Sequence, residues 1–149
     1  MKQISGTWFE CKVRYEQTQE DGLEKMVTET YVYKAADFGE AYDKATKDMS
    51  TFISGDFGIT AMKIAQYIEV VMQDDRTEEK YYRVKVIFIT LDEKTNKEKK
   101  TACYYLVNAD SVEKARKYAD TILSDSMVDF VIEAVVEARV TDVHIYNSI

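Results

Sequence analysis

The sequence contains no proline, only five glycines, two cysteines and a single histidine. Without proline and with little glycine, its turns must depend on Asn, Asp and the few glycines. One histidine and two distant cysteines cannot form a Cys/His zinc cluster, and the glycines form neither a P-loop nor a GxGxxG motif. No apolar run approaches the about 20 residues that span a bilayer. We therefore expect no metal, no cofactor, no membrane association and a cytoplasmic protein.

The patterns of common catalytic sites are also missing. The sequence has no HExxH motif and no Ser-His-Asp arrangement, and a lone His144 on a terminal strand is typical of a surface or hydrogen-bonded residue. Cys11 and Cys103, which form no CxxC pair, are typical of small buried apolar residues. The acids between 74 and 79 would suit a hard cation, but such clusters between structural units are typical of a solvated linker. The sequence therefore favours a protein that is not an enzyme.

The most informative feature is a segment that occurs twice. Trp8–Tyr15 reads WFECKVRY, and 73 positions later Tyr81–Phe88 reads YYRVKVIF, with an aromatic pair, Lys-Val and a final aromatic residue at matching places. Apolar residues alternate with polar ones in both segments, which predicts strands that turn one face toward a core. We interpret the two segments as the opening strands of a duplicated unit.

Each copy continues with a turn and a second strand. Asp21-Gly22 marks the turn in the first copy, and Asn96 is the expected left-handed residue in the second. These turn signals predict that each opening strand pairs with the strand that follows it.

A helix and a last strand complete each copy. Asp37 and Glu40 predict a capping box and a helix over about 37–49, while the second helix begins near Ser111, so the offset between the helices is 73 or 74. Residues 57–72 predict one long strand, bent or bulged near 61–65 where its alternation slips.

These elements predict an α+β fold made by tandem duplication of a β-β-α-β unit. We expect mainly antiparallel sheet structure, two helices and a pseudo-twofold arrangement. The sequence does not decide between one continuous sheet and two sheets. A unit of about 65 residues has a marginal core, so we expect the copies to pack together. The prediction is one compact domain, 1–149, with repeats of about 7–72 and 80–145 and a charged linker over 73–80.

Several strings resemble a family known only as a domain of unknown function, which occurs in gut anaerobic bacteria and their phages and mobile elements. They are the WFECK-type opening strand, FISG at 52–55 and FITLDEK at 88–94. The resemblance covers roughly residues 7–146, and Thr51 departs from it where proline is expected before Phe52. It implies no activity, substrate or catalytic residue. Its link to mobile elements implies a role near nucleic-acid processing.

The polar faces of the two opening strands form the candidate binding face. Aromatic rings beside cations on a sheet are typical of single-stranded nucleic-acid binding, where bases stack and phosphates pair. The net charge of −7 opposes a broad phosphate-binding surface, and the alternative is that this face is covered and its aromatic residues serve packing. The candidate residues are Trp8, Lys12, Arg14, Tyr81, Arg83 and Lys85.

Three hypotheses for function follow. The first is a non-catalytic binding or interaction module, because tyrosine-rich strands with unpaired edges favour a protein partner or self-association. The alternative is a single-stranded nucleic-acid-binding accessory protein that uses the outer face of the opening strands. The third is a small-molecule-binding domain with a cleft between the repeats.

Overall fold

The structure, a computed structural model that describes residues 1–74 and 78–145, confirms the predicted α+β class. Within this part of the chain no helix is long and apolar enough to cross a membrane. The elements, in chain order, are β1 (Lys2–Ser5), β2 (Trp8–Thr18), β3 (Glu24–Lys34), α1 (Phe38–Phe52), β4 (Phe57–Ala65), β5 (Tyr67–Met72), β6 (Tyr81–Leu91), β7 (Glu98–Asn108), α2 (Val112–Leu123), β8 (Asp129–Ala138) and β9 (Asp142–His144).

The strands form two sheets. One has five strands in the order β1-β5-β7-β6-β8, and the other has four in the order β4-β2-β3-β9. Most neighbours are antiparallel, while β5 with β7 and β3 with β9 are parallel. The chain divides into two compact units, a five-stranded unit of Met1–Ser5 and Gln66–Ala138 and a four-stranded unit of Gly6–Ala65 and Arg139–Ile149.

The same order of elements occurs in both units, as β2-β3-α1-β4 and as β6-β7-α2-β8. In each, the opening strand lies between the other two. The pairing of the opening strand with the last strand skips Thr60 in β4 and Glu133 in β8, two residues 73 positions apart. Shared order and a shared bulge support the duplication hypothesis, which stays a prediction, as does the single compact domain.

The prediction of one long strand over 57–72 is wrong. The strand stops at Ala65, and after Gln66 the chain enters β5, which lies in the other sheet beside β7. Likewise β9, which follows β8 in the chain, lies beside β3. Alternation within a segment reveals its faces but not its partner strand, so the sequence did not show this change of sheet.

Local capping chemistry begins both helices where the sequence predicts. The Asp37 carboxylate accepts a hydrogen bond from the Glu40 N–H at 2.8 Å, and the Glu40 carboxylate accepts one from the Ala36 N–H at 3.1 Å. Ser111 caps α2 in the same way, accepting from the Lys114 N–H. The two caps are 74 positions apart because the turn between β6 and β7 is one residue longer than that between β2 and β3.

The predicted turn residues adopt the expected left-handed conformation, with φ of 84° at Gly22 and 58° at Asn96. Such values favour glycine and asparagine, because other side chains clash with the backbone there. The residues of each turn therefore help to set the register of the hairpin that the turn connects.

Each helix covers one face of its own sheet. In the five-stranded unit, Ala115 and Ala119 of α2 belong to a buried cluster with Val84 and Val86 of β6. In the four-stranded unit, Ala45 of α1 packs with Cys11 and Tyr33. The apolar faces of β2 and β6 are therefore those that the sequence predicts, and their polar faces turn away from the helices.

Candidate functional site

A cavity of about 240 Å³ lies on the face of the five-stranded sheet opposite α2. Three neighbouring strands supply its walls. Lys85 of β6 lies between Tyr104 of β7 and Ala134 of β8 in the strand register, and Arg83 lies opposite Val136 of β8. We call this the Arg83 cavity, and its lining residues are Arg83, Lys85, Tyr104, Ala134 and Val136.

The Arg83 side chain stacks on an aromatic ring. Its guanidinium carbon lies 4.1 Å from the centre of the Tyr104 ring. The two residues are diagonal neighbours across the β6–β7 pair, a position from which long side chains and aromatic rings reach each other. A cation over a tyrosine face is attracted by the negative face of the ring, so this contact holds the exposed arginine in place.

Lys85 brings a second cation into the cavity. Its Nζ lies 3.4 Å from Oε1 of Glu133, the residue that the bulge in β8 leaves without a cross-strand partner. Bulges redirect side chains, and this one brings a carboxylate beside the lysine. The Glu133 side chain is 51% exposed, so solvent weakens the ion pair and the lysine stays available to a stronger anion.

The remaining wall is apolar. Ala134 is small, and Val136 is 59% exposed despite its apolar side chain. The cavity therefore offers two cationic groups, one aromatic ring and an apolar surface. This combination of groups is suited to an anionic ligand that also has an apolar part.

The same positions of the four-stranded unit carry different chemistry. In the two strand registers, Glu10 takes the place of Arg83, Thr30 that of Tyr104, and Lys63 that of Val136. Glu10 and Lys63 form an ion pair at 3.4 Å. The cationic and aromatic character therefore belongs to the five-stranded unit, and the four-stranded unit provides matched positions for control variants.

The structure divides the predicted binding face. Trp8 is fully buried and Tyr81 is 4% exposed, so neither ring presents a face on which a base could stack. Lys12 and Arg14 are exposed on β2 of the four-stranded unit. Of the six predicted residues, the cavity brings together only Arg83 and Lys85.

Sequence reasoning missed Tyr104, although it lies beside both predicted cations. It adjoins Lys85 through the β6–β7 register, which depends on the length of the turn at 92–97. Counting outward from that turn would have identified Tyr104. Leu91 pairs with Glu98, so Lys85, six residues before Leu91, pairs with Tyr104, six residues after Glu98.

The predicted linker is not solvated throughout. The Glu78 side chain is 7% exposed, and its Oε1 accepts hydrogen bonds from the Tyr118 hydroxyl at 2.8 Å and from the Lys114 ammonium at 3.3 Å. The Asn108 side-chain amide donates to the backbone carbonyls of Glu78 and Lys80. This end of the acidic cluster is thus anchored to the five-stranded unit. Asp75 lies outside the described residues.

A second polar cluster lies on the helix-facing side of the four-stranded sheet. The Tyr15 and Tyr31 hydroxyls donate to Glu29, and the Tyr33 hydroxyl donates to Asp48 at 2.7 Å. The hydrogen bond to Glu29 and burial together raise the pKa of Tyr15 to about 12. These phenols therefore stay protonated near neutral pH.

The lone histidine lies beside a tyrosine and belongs to no candidate metal site among the described residues. His144 is half-buried, with its ring centre 5.4 Å from that of Tyr33. Among residues 1–74 and 78–145, no group of three or more His, Cys, Asp or Glu side chains is arranged to hold a metal ion.

Comparisons with known proteins identify a family and no relative of known structure. A family model described as a domain of unknown function (DUF4494) matches residues 7–146. Comparisons with curated proteins and with solved structures return no match.

Proposed function

The chain belongs to the family of the domain of unknown function DUF4494, and we propose that it is a non-catalytic binding module that takes a small anionic ligand into the Arg83 cavity. The observation that supports the proposal is the convergence of Arg83, Lys85 and Tyr104 on one concave surface. Within an acidic chain of net charge −7, such a local cationic site attracts an anion by short-range contacts rather than by the field of the whole protein.

The chemistry of the lining residues supports binding rather than catalysis. Arginine stays protonated at any pH that proteins experience, so Arg83 supplies charge and hydrogen-bond donors but no proton-accepting group. Tyr104 contributes its ring face, which the guanidinium already contacts. Lys85 is positioned as a point charge beside Glu133.

The size of the cavity bounds its occupant. Sites for drug-sized molecules measure about 300–1,000 Å³, and the Arg83 cavity, at about 240 Å³, is smaller. The proposal is therefore a ligand of the size of a single metabolite, or one group of a larger molecule. The lining residues all belong to the five-stranded unit, which differs from the cleft between repeats that the sequence suggested.

Anion binding at low ionic strength tests the proposal. Calorimetric titration with a panel of phosphates, sulfates and carboxylates should yield a ligand whose affinity falls as salt is added, since screening weakens exposed charges. Arg83→Gln and Lys85→Gln should each weaken binding by about tenfold or more. Arg14→Gln and Lys12→Gln, exposed cations of the four-stranded unit, are the matched controls. Equal losses in the controls, or no binding anion, would refute the proposal.

A protein partner is the second candidate, supported by the edge of the five-stranded sheet. β8 lies at that edge, with Val131 52% exposed and Val136 59% exposed. An edge strand with exposed apolar side chains can pair with a strand of another chain or of a second copy. Mass measurement by light scattering distinguishes the hypotheses: a dimer that Val131→Lys dissociates supports pairing, and a strict monomer at high concentration argues against self-association.

A further inference from the structure

We infer that the ligand of the Arg83 cavity is a nucleotide, a phosphate ester that carries a planar base; this inference rests on the proposed function and specifies it. Two features of the cavity are suited to two parts of one molecule. The stacked Arg83–Tyr104 pair is suited to a flat aromatic ring system, and Lys85 is suited to a phosphate.

The base site follows from the stacking geometry. With its central carbon 4.1 Å from the Tyr104 ring, the guanidinium lies over the ring face while Arg83 as a whole remains exposed. Nucleobases stack on arginine planes as they do on aromatic side chains. A base can thus stack on the outer side of the guanidinium, with the Tyr104 ring supporting the guanidinium from beneath.

The phosphate site follows from the strand spacing. Arg83 and Lys85 are alternate residues of β6 on the same face, so their backbone positions are about 7 Å apart. The Arg83 guanidinium reaches diagonally to Tyr104, the cross-strand neighbour of Lys85, so the stacked pair lies next to the lysine, as the base and the 5′-phosphate of one nucleotide lie on either side of one ribose. Ala134 and Val136 on the neighbouring strand supply the apolar surface against which a ribose or base edge packs.

Glu133 limits how much negative charge the site accepts. Its carboxylate lies 3.4 Å from the Lys85 ammonium, so a phosphate must compete with it for the lysine. A phosphate monoester competes well, because it carries nearly two negative charges and three acceptor oxygens. Glu133 repels any second anion nearby, as does the acidic chain of net charge −7, so a mononucleotide is favoured over a polyphosphate.

A ligand series separates the two halves of the site. We would titrate the full chain at low salt with AMP, ribose 5-phosphate, adenosine, inorganic phosphate and a short dT oligonucleotide. AMP should bind about tenfold more tightly than ribose 5-phosphate, the gain being that of stacking one base. Tyr104→Leu should abolish that difference and leave ribose 5-phosphate binding unchanged. Lys85→Gln should weaken the binding of AMP, ribose 5-phosphate and inorganic phosphate and leave that of adenosine unaffected.

Matched variants and the oligonucleotide complete the test. Tyr42→Leu, which alters an exposed tyrosine of α1, and Lys12→Gln should leave all affinities unchanged, and circular dichroism should show that every variant is folded. Binding of dT that is tighter than AMP and also lost in Tyr104→Leu would identify the nucleotide as part of a single strand. Equal binding of AMP and ribose 5-phosphate would overturn the nucleotide inference while the anion site stands. If no phosphate binds, the nucleotide inference fails, and the proposed function fails with it only if no sulfate or carboxylate of the anion panel binds either.

Discussion

Val143 lies opposite Val32 in a parallel pair of strands, in the four-stranded sheet. In the five-stranded sheet the same relationship holds between Val70 and Leu106. In each case a short strand that follows one run of β-β-α-β elements adds to the sheet of the other run. Each sheet therefore contains a strand, β5 or β9, that follows the β-β-α-β run of the other sheet in the chain.

This relationship predicts that the short strand β9 contributes to the stability of the whole chain. Val143 is 1% exposed, so Val143→Ala removes buried methyl groups and should lower the free energy of unfolding by about 1–3 kcal/mol. Urea denaturation followed by circular dichroism measures the change. Val131→Ala, at an exposed position of β8, is the matched control and should change stability by less than about 0.5 kcal/mol. Equal effects of the two substitutions would show that β9 is not part of the cooperative fold.

The buried Glu78 side chain should be a second determinant of stability. Glu78→Ala removes the two hydrogen bonds that the Glu78 carboxylate accepts from the Tyr118 hydroxyl and the Lys114 ammonium, which should cost about 1–3 kcal/mol in chemical denaturation. Glu79→Ala is the control, because Glu79 is exposed and its hydrogen bond to Asp110 uses the backbone N–H, which alanine retains. A Glu78 variant as stable as the control would indicate that the segment is solvated, as the sequence suggested.

The first turn of α1 should make stability depend on pH. The hydrogen bond from Lys44, and then that from the Ala36 N–H, lowers the pKa of Glu40 below its ordinary value of 4.5. A carboxyl whose pKa is lower in the folded state stabilises the fold above the ordinary pKa, and this contribution disappears as the pH falls through the folded value. The stability difference between wild type and Glu40→Gln should therefore be constant above about pH 5 and shrink below it.

A double-mutant cycle isolates the cause of that dependence. Lys44→Met removes the ammonium that lies 2.9 Å from the Glu40 carboxylate. In this background the pH-dependent effect of Glu40→Gln on stability should become much smaller, although the backbone hydrogen bond from Ala36 remains. An unchanged effect would show that Lys44 does not set the pKa.

The two cysteines should differ in reactivity. Burial, and secondarily the charge of Glu10, raises the pKa of the Cys11 thiol to about 11. Since the thiolate is the reactive form, Cys11 should react with a disulfide reagent only after unfolding, while the half-buried Cys103 should react in the folded protein. Cys103→Ser should remove the reaction seen without denaturant. A rapidly reacting thiol in the folded Cys103→Ser variant would contradict the burial of Cys11.

Much of the local structure could be predicted because it depends on neighbouring residues. The capping residues Asp37 and Ser111, the left-handed Gly22 and Asn96, and the apolar faces of β2 and β6 all follow from patterns a few residues long. For the candidate site, the same reasoning identified Arg83 and Lys85 as outward-facing cations. It also assigned Trp8 and Tyr81 to the binding face, where the structure buries them.

What the sequence by itself determined is therefore the order of the elements within each β-β-α-β run and the faces that they turn toward the core, since alternation, helical spacing and capping act over one turn or one strand. It did not show that the segment 57–72 divides into two strands. Only the tertiary structure decided which strands are neighbours: that β5 and β9 leave the strand runs they follow, and that Tyr104 comes to lie beside Arg83. These outcomes depend on contacts between residues far apart in the chain. In a sheet, a register change of a single residue exchanges the two faces, so no local pattern can specify what a side chain finally contacts.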